Sequence, residues 1–405
     1  QSLTFSPNSA RFAYAASKGT RRYLILDGHR GCDYDSLTPP FVFSPDSRQL
    51  AYVAGRSGKE FVVNESSAQE SFDLVLQPLS FSADGRHLGY VGVDGKKEFA
   101  VVDGVKGAEF ERLLQPVTFS PDSTHFAYIA RRGKREYAVL DWMKQEEFPR
   151  FLSPLAFSAD SRHNGYVTQE QGRQQVVLDG VRGEKFEKIS SGLYFSACSK
   201  HVAFSARQSG REFVVVDGMK EPDFDAVGSL TFTPCFRRRA YVAWQGGRNF
   251  AVVDGVRGED FERVQQLLFS PDQKRTAYVG IAKGVSYAVV DGLKDPAEGV
   301  IESLMFTPDS SRVCYVDRNG SKKRLVFGES KGDEFDDVLM FTFSGRPDRM
   351  AYAGRRAQKF CIVAGGRRSQ DYDEVWSPVF ENQDKSLSFN ARDGNDFWRV
   401  TMNLE

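Results

Sequence analysis

Pro78 to Leu113 reads PLSFSADGRHLGYVGVDGKKEFAVVDGVKGAEFERL, four short β-rich runs separated by turn residues. Run A is Leu79 to Ser82, and the Ala83-Asp84-Gly85 turn leads into run B, His87 to Val91. Asp94-Gly95 makes the next turn before run C, Glu98 to Val102, and Asp103-Gly104 introduces run D around Phe110. Each run is rich in Val, Phe, Tyr and Leu and is too short for a helix, so all four read as strands. Run B has apolar or small residues at both parities, as in Leu88-Gly89-Tyr90-Val91, which predicts a sheet covered on both faces.

The same unit recurs along the whole chain. Its motif phenylalanine falls at Phe5, Phe43, Phe81, Phe119, Phe157, Phe195, Phe232, Phe269, Phe306, Phe343 and Phe380, a step of 38 residues five times and then 37 residues five times. Nine positions later stands Tyr14, Tyr52, Tyr90, Tyr128, Tyr166, Phe204, Tyr241, Tyr278, Tyr315, Tyr352 or Phe389. A third aromatic ladder runs Tyr34, Phe72, Phe110, Phe148, Phe186, Phe224, Phe261, lapses near Glu298, and resumes at Phe335 and Tyr372. A four-stranded unit of this length repeated in register predicts one all-β β-propeller domain over residues 1–405. It would have about eleven four-stranded blades, starting near residues 3, 41, 79, 117, 155, 193, 230, 267, 304, 341 and 378. The last unit ends after strand C, Asp396 to Met402, and is expected to be three-stranded; ten blades plus a partial unit is the alternative.

FSPDS followed by AYVA, as at Phe43 to Ala54, resembles the WD-like PD repeat of TolB-type bacterial propellers. The Pro-Asp core stands intact at Pro45-Asp46, Pro121-Asp122, Pro271-Asp272 and Pro308-Asp309, and departs furthest at Ala197-Cys198, Pro234-Cys235, Gly345-Arg346 and Asn382-Gln383. The resemblance implies a scaffold, receptor or accessory domain in the periplasm or outside the cell, and it leaves the function open.

The composition, 40% hydrophobic with 33 Phe, supports a large core and a soluble protein. No apolar run approaches the length of a membrane span, and the chain opens with polar QSLTFSPNSA. The five cysteines (Cys32, Cys198, Cys235, Cys314, Cys361) are scattered without a CxxC pair and predict neither a disulfide framework nor a zinc site.

Motifs for catalysis are absent: there is no GxSxG, P-loop, GxGxxG, HExxH or EF-hand loop. The residue before each motif Phe, on the strand expected to line a channel, is never a carboxylate, imidazole or amine, so acid/base pairs are not predicted there. No enzyme activity, cofactor or metal is therefore expected. His87, His125, His163 and His201 share one repeat position, where other units carry Arg11, Gln49, Arg238, Arg275 and Arg312. They read as polar turn residues leading into strand B, a pH-sensitive surface being the alternative. Asp27, Asp103, Asp141, Asp179, Asp217, Asp254 and Asp291 follow strand C and read as caps of Asp-Gly hairpin turns.

The formal charge balance is even, 54 basic against 54 acidic residues, but the signs are segregated within the unit. The B–C segments sum to about +15 and the C–D segments to about −20, which predicts opposite charge on the two faces. The candidate basic face comprises Lys18, Arg21, Arg22, Lys96, Lys97, Arg131, Arg132, Lys134, Arg135, Arg318, Lys322, Lys323, Arg324, Arg355, Arg356 and Lys359. The expected function is a protein-binding or scaffolding module acting through that face, with another anionic polymer as an alternative partner and head-to-tail stacking of rings as a further option. Even net charge and few unpaired aromatics in the basic loops argue against nucleic acid. A channel-mouth carbohydrate-binding protein or hydrolase, and a purely architectural amplified or engineered repeat, are the remaining readings.

Overall fold

The computed structural model describes residues 3–65, 67–345 and 349–405. Among these residues there is no helix, and the strands form eleven antiparallel sheets with neighbours in chain order. The chain is an all-β propeller of consecutive up-and-down blades. It divides into two compact units, Gln1–Gly210 with Val214–Lys220, and Arg211–Phe213 with Glu221–Glu405.

In the third sheet the four strands are A (Leu74–Phe81), B (Leu88–Asp94), C (Lys97–Val102) and D (Val105–Phe110). Strand A starts five residues before the expected Leu79, because its register against B slips at a bulge and Val75 pairs with Gly92 upstream of it. In the fourth, fifth and sixth sheets strand A is interrupted into two short pieces. The last sheet has three strands, Glu374–Glu381, Ser386–Asp393 and Asp396–Asn403.

The aromatic ladders interlock neighbouring sheets. Phe72, on strand D of the second sheet, meets Tyr90, on strand B of the third, edge to face at 6.3 Å. Its ring lies on Gly92, where an added Cβ would stand 2.5 Å from ring carbons. Phe261 on Gly280 and Phe335 on Gly354 repeat the contact at 2.4 Å. The residue two after the strand-B aromatic must therefore be small wherever such a ring covers it; it is Ala or Thr at Ala54, Ala130 and Thr168, all buried, and the exception is Asp317 of the ninth sheet.

The motif turn supplies a polar link between sheets. Ser82 Oγ donates to Asp84 Oδ1 and accepts from His87 N, while Asp84 Oδ1 also accepts from Arg86 N at 3.0 Å. Ser123 of the following sheet then accepts from Asp84 N at 3.0 Å. Ser47 with Asn8, Ser161 with Asp122, Ser199 with Asp160 and Ser310 with Asp272 repeat the bond at 2.8 to 3.1 Å. The Ser-to-Asp hydrogen bond first, then the backbone N–H, holds the Asp46, Asp84 and Asp160 carboxyls below the usual range.

Candidate binding surface

The histidine and aspartate ladders are one device. His87 Nδ1 lies 2.7 Å from Asp103 Oδ2, and Asp103 Oδ1 accepts from Leu88 N at 2.9 Å. His125 with Asp141, His163 with Asp179 and His201 with Asp217 do the same at 2.6 to 2.8 Å. Arginine replaces histidine in Arg11 with Asp27, Arg238 with Asp254 and Arg275 with Asp291, at 2.8 to 2.9 Å. The aspartates thus do more than cap a turn: each ties the end of strand C to the start of strand B. The constant separation of sixteen residues between partners carried that signal. Asp103 and Gly104 both take positive φ, 51° and 78°, the backbone an Asp-Gly hairpin turn requires. Among the described residues no group of three or more His, Cys, Asp or Glu is placed to hold a metal ion, and no helix is long and apolar enough to cross a membrane.

The candidate cations sit on the B–C hairpins, and most face carboxylates there. Lys97 lies 3.7 Å from Glu109 and Arg135 3.6 Å from Glu147, while Arg21 pairs with Asp35. Lys322 reaches Asp336 at 2.7 Å, and Lys359 reaches Asp373 and Asp393 at 2.8 and 2.7 Å. Arg131 Nε donates to the buried Glu136 at 3.1 Å. Arg318 and Lys323 converge on Glu302 at 2.6 and 2.9 Å, and Lys323 and Arg355 on Asp337 at 3.0 and 3.7 Å. Arg132 donates to the Glu109 carbonyl and covers Phe110, and Arg356 lies 3.8 Å from Asp333 and covers Phe335. Lys18, Arg22, Lys96 and Lys134 are exposed and, among the described residues, have no acidic partner within 4 Å.

The pairing follows from the course of strand D, which runs back from the C–D turn to the B–C end of the sheet. Asp73, Asp336 and Asp373, just past its aromatic, therefore stand beside the B–C turns, where they also accept from Gly95 N, Ala357 N and Gly394 N at 2.6 to 2.7 Å. Lys59, Lys322 and Lys359 respectively, aided by those N–H groups, hold their carboxyls below the usual range. Counting these acids with the C–D segments overstates the charge separation of the two faces.

At the C–D turns, cations staple strand D of one sheet to that of the preceding one: Lys106 to Glu70 at 3.1 Å, Lys220 to Glu184 at 2.6 Å and Lys294 to Glu259 at 2.5 Å. The same cations cover aromatic rings, Lys106 lying 4.1 Å from the centre of Phe99.

Where the third ladder lapses, an ionic cluster replaces the aromatic plug. Strand D of the eighth sheet, Leu293–Pro296, pairs with strand C without the usual bulge. Ala297 then donates to the Ser286 carbonyl, as Phe261 does to Asn249 one repeat earlier, so alanine occupies the aromatic's place. Asp317 stands where Gly280 and Gly354 do, and its strand-C partner Arg324 stands where Tyr287 and Cys361 do. Arg324 lies 3.1 Å from Asp317, which is 1% exposed, and also pairs with Glu298. Lys331 and Arg324 draw the Glu298 carboxyl down to about 2. Sequence reading found the lapse but not the compensation, which involves residues nearly thirty positions apart.

No protein-family model matches the chain, and no curated protein matches it by sequence. Among solved structures it is similar to a eukaryotic initiation factor, at 13% identity over 88% of this chain and 96% of that one, with a TM-score of 0.39. It is similar to TolB from Acinetobacter baumannii at 16% identity over 62% and 75% of the two chains, TM-score 0.27. The Dos1 propeller is similar at 11% identity over 80% and 90%, TM-score 0.30.

Proposed function

We propose that the chain is a non-catalytic repeat propeller of the TolB type that binds an acidic protein partner through its B–C hairpins. The observation that carries the reading is the residue of positive charge left after local pairing: Lys18, Arg22, Lys96 and Lys134 stand exposed on B–C hairpins of the first unit. These hairpins are held by their pairs with Asp35, Glu109 and Glu147, so the cations are presented on an ordered frame, which lowers the ordering cost of binding. Attraction by such a patch steers an acidic partner and is screened by salt.

The test is capture of the chain on immobilised acidic and basic bait proteins across a salt series. Preference for the acidic bait, declining with salt, is expected. Reversing Lys18, Arg22, Lys96 and Lys134 to glutamate should abolish that preference, whereas reversing the paired Lys359 should weaken it less. Equal capture on both baits refutes the reading.

A further inference from the structure

Strand D of one sheet packs on strand B of the next, and near the C–D turn a strand-D glycine leaves its backbone bare. Gly107 of the third sheet and Gly183 of the fifth hold this place, two repeats apart. At Gly107 the gap is filled from within the chain. The indole of Trp142, from the turn after strand C of the fourth sheet, lies so close that an added Cβ would stand 2.3 Å from a ring carbon. The same indole meets Phe126 edge to face, with ring centres 4.8 Å apart.

Two repeats later these filling groups are cut back: Gly218 stands for Trp142, Val202 for Phe126 and Phe204 for Tyr128. The missing phenol oxygen matters, because elsewhere it lies over this glycine. An added Cβ would stand 3.3 Å from Tyr278 Oη at Gly258 and 2.7 Å from Tyr352 Oη at Gly332. Among the described residues, a Cβ at Gly183 would meet only the Val176 carbonyl of its own sheet, at 3.0 Å, and one at Gly218 would meet nothing within 4 Å. The result is a cavity of about 370 Å³ walled by Val176, Leu178, Phe186, Val202, Phe204 and Val215, all within the first compact unit. The ions at its rim are already engaged: Arg182 with Glu146 at 2.8 Å and Glu170 at 3.2 Å, Glu184 with Lys220 at 2.6 Å, and Asp217 with His201 at 2.8 Å.

Apolar concavities of roughly 300–1,000 Å³ are the usual sites for small molecules. The chain itself shows what this place between sheets accepts, since its own indole fills the equivalent gap at Gly107. We propose that the cavity between the fifth and sixth sheets binds a free, neutral, planar aromatic molecule of indole size, its ring lying over Gly183 as Trp142 lies over Gly107. Removal of the ring's apolar surface from water supplies the affinity. With the rim charges neutralised in pairs, the cavity reads the ring and not a charged or peptide tail. The site uses none of the cations of the partner reading above and does not depend on it.

Fluorine NMR of 5-fluoroindole titrated with the full chain tests this. A saturable change that persists at raised salt is expected. Gly218→Trp places an indole where the fourth sheet has one, on a backbone with φ of 80° against 66° at Trp142, and should weaken binding about ten-fold or more. Gly183→Gln installs the residue that Gln69 and Gln145 place at this repeat position, and should do the same from the opposite sheet. Phe204→Tyr, the residue of most repeats, adds only a hydroxyl and should weaken binding less than either. Gly255→Trp, the same exchange one repeat after Gly218, controls for backbone strain and should bind as the parent does. N-acetyltryptophanamide should compete about ten-fold less well than indole. Absence of saturable binding, either filling variant melting with the parent yet binding as it does, or tryptophanamide competing as well as indole would each overturn the proposal.

Discussion

Arg324→Met is the perturbation that best separates packing from charge at the ninth sheet. It removes the cation beside Asp317, whose side chain is 1% exposed, while Arg324 itself is 15% exposed. Breaking a buried ion pair by deleting one partner costs about 3–5 kcal/mol, because the other charge is stranded away from water. The small opening at Arg324 places the expected loss near the low end, about 3 kcal/mol. Gly299 N, which donates to Asp317 Oδ1 at 2.9 Å, cannot neutralise that charge. The triple change A297F/D317G/R324F should behave oppositely. It rebuilds the ring-on-glycine contact seen at Phe335 and Gly354, and exchanging a whole buried pair for well-packed apolar groups is neutral or stabilising by about 1–4 kcal/mol. Repeat arrays need not unfold in one step, so the assay is native-state hydrogen exchange of Leu293–Pro296 and Val313–Asn319, with Lys96→Met as an exposed control. Protection in Arg324→Met equal to that in the control, or a triple variant less protected than Arg324→Met, would refute the reasoning.

The motif carboxylates make a pH prediction. Their folded pKa values lie below the unfolded ones, so their contribution is complete above about pH 4 and is lost as pH falls through the depressed values. Melting temperature should fall on acidification through that window, and Asp84→Asn should flatten the fall. Ser123→Ala removes the acceptor for Asp84 N at a backbone with φ of 66° and should destabilise by about 1 kcal/mol in chemical denaturation. Tyr90→Phe deletes a buried hydroxyl that has no hydrogen-bond partner among the described residues, so it should leave stability unchanged or raise it by up to about 1 kcal/mol, as Phe204 and Phe389 at the same repeat position suggest. A loss above 1 kcal/mol in the same assay would count against that account.

Much of the fold was legible because its determinants are local and repeated. Alternation, Asp-Gly turns and three aromatics in register specify short strands in chain order, and the eleven sheets follow from them. The start of strand A was not legible, since Leu74 to Gln77 joins the sheet through a bulge that alternation cannot reveal.

The surface was less legible than the fold. Sequence identified which residues are charged, but strand B runs on to Asp94, past the expected Val91, and strand C begins at Lys97, one residue before the expected Glu98. Sequence could not show that Asp73 and Asp373 return to the B–C end along strand D, because that depends on strand direction in three dimensions. By itself the sequence determined the strand pattern, the period and the aromatic ladders, all encoded within one unit. Tertiary structure decided which ladders pair and how Asp317 and Arg324 fill the place of a missing ring. Those properties belong to contacts between units, where residues meet across one repeat length and no local periodicity records the partner.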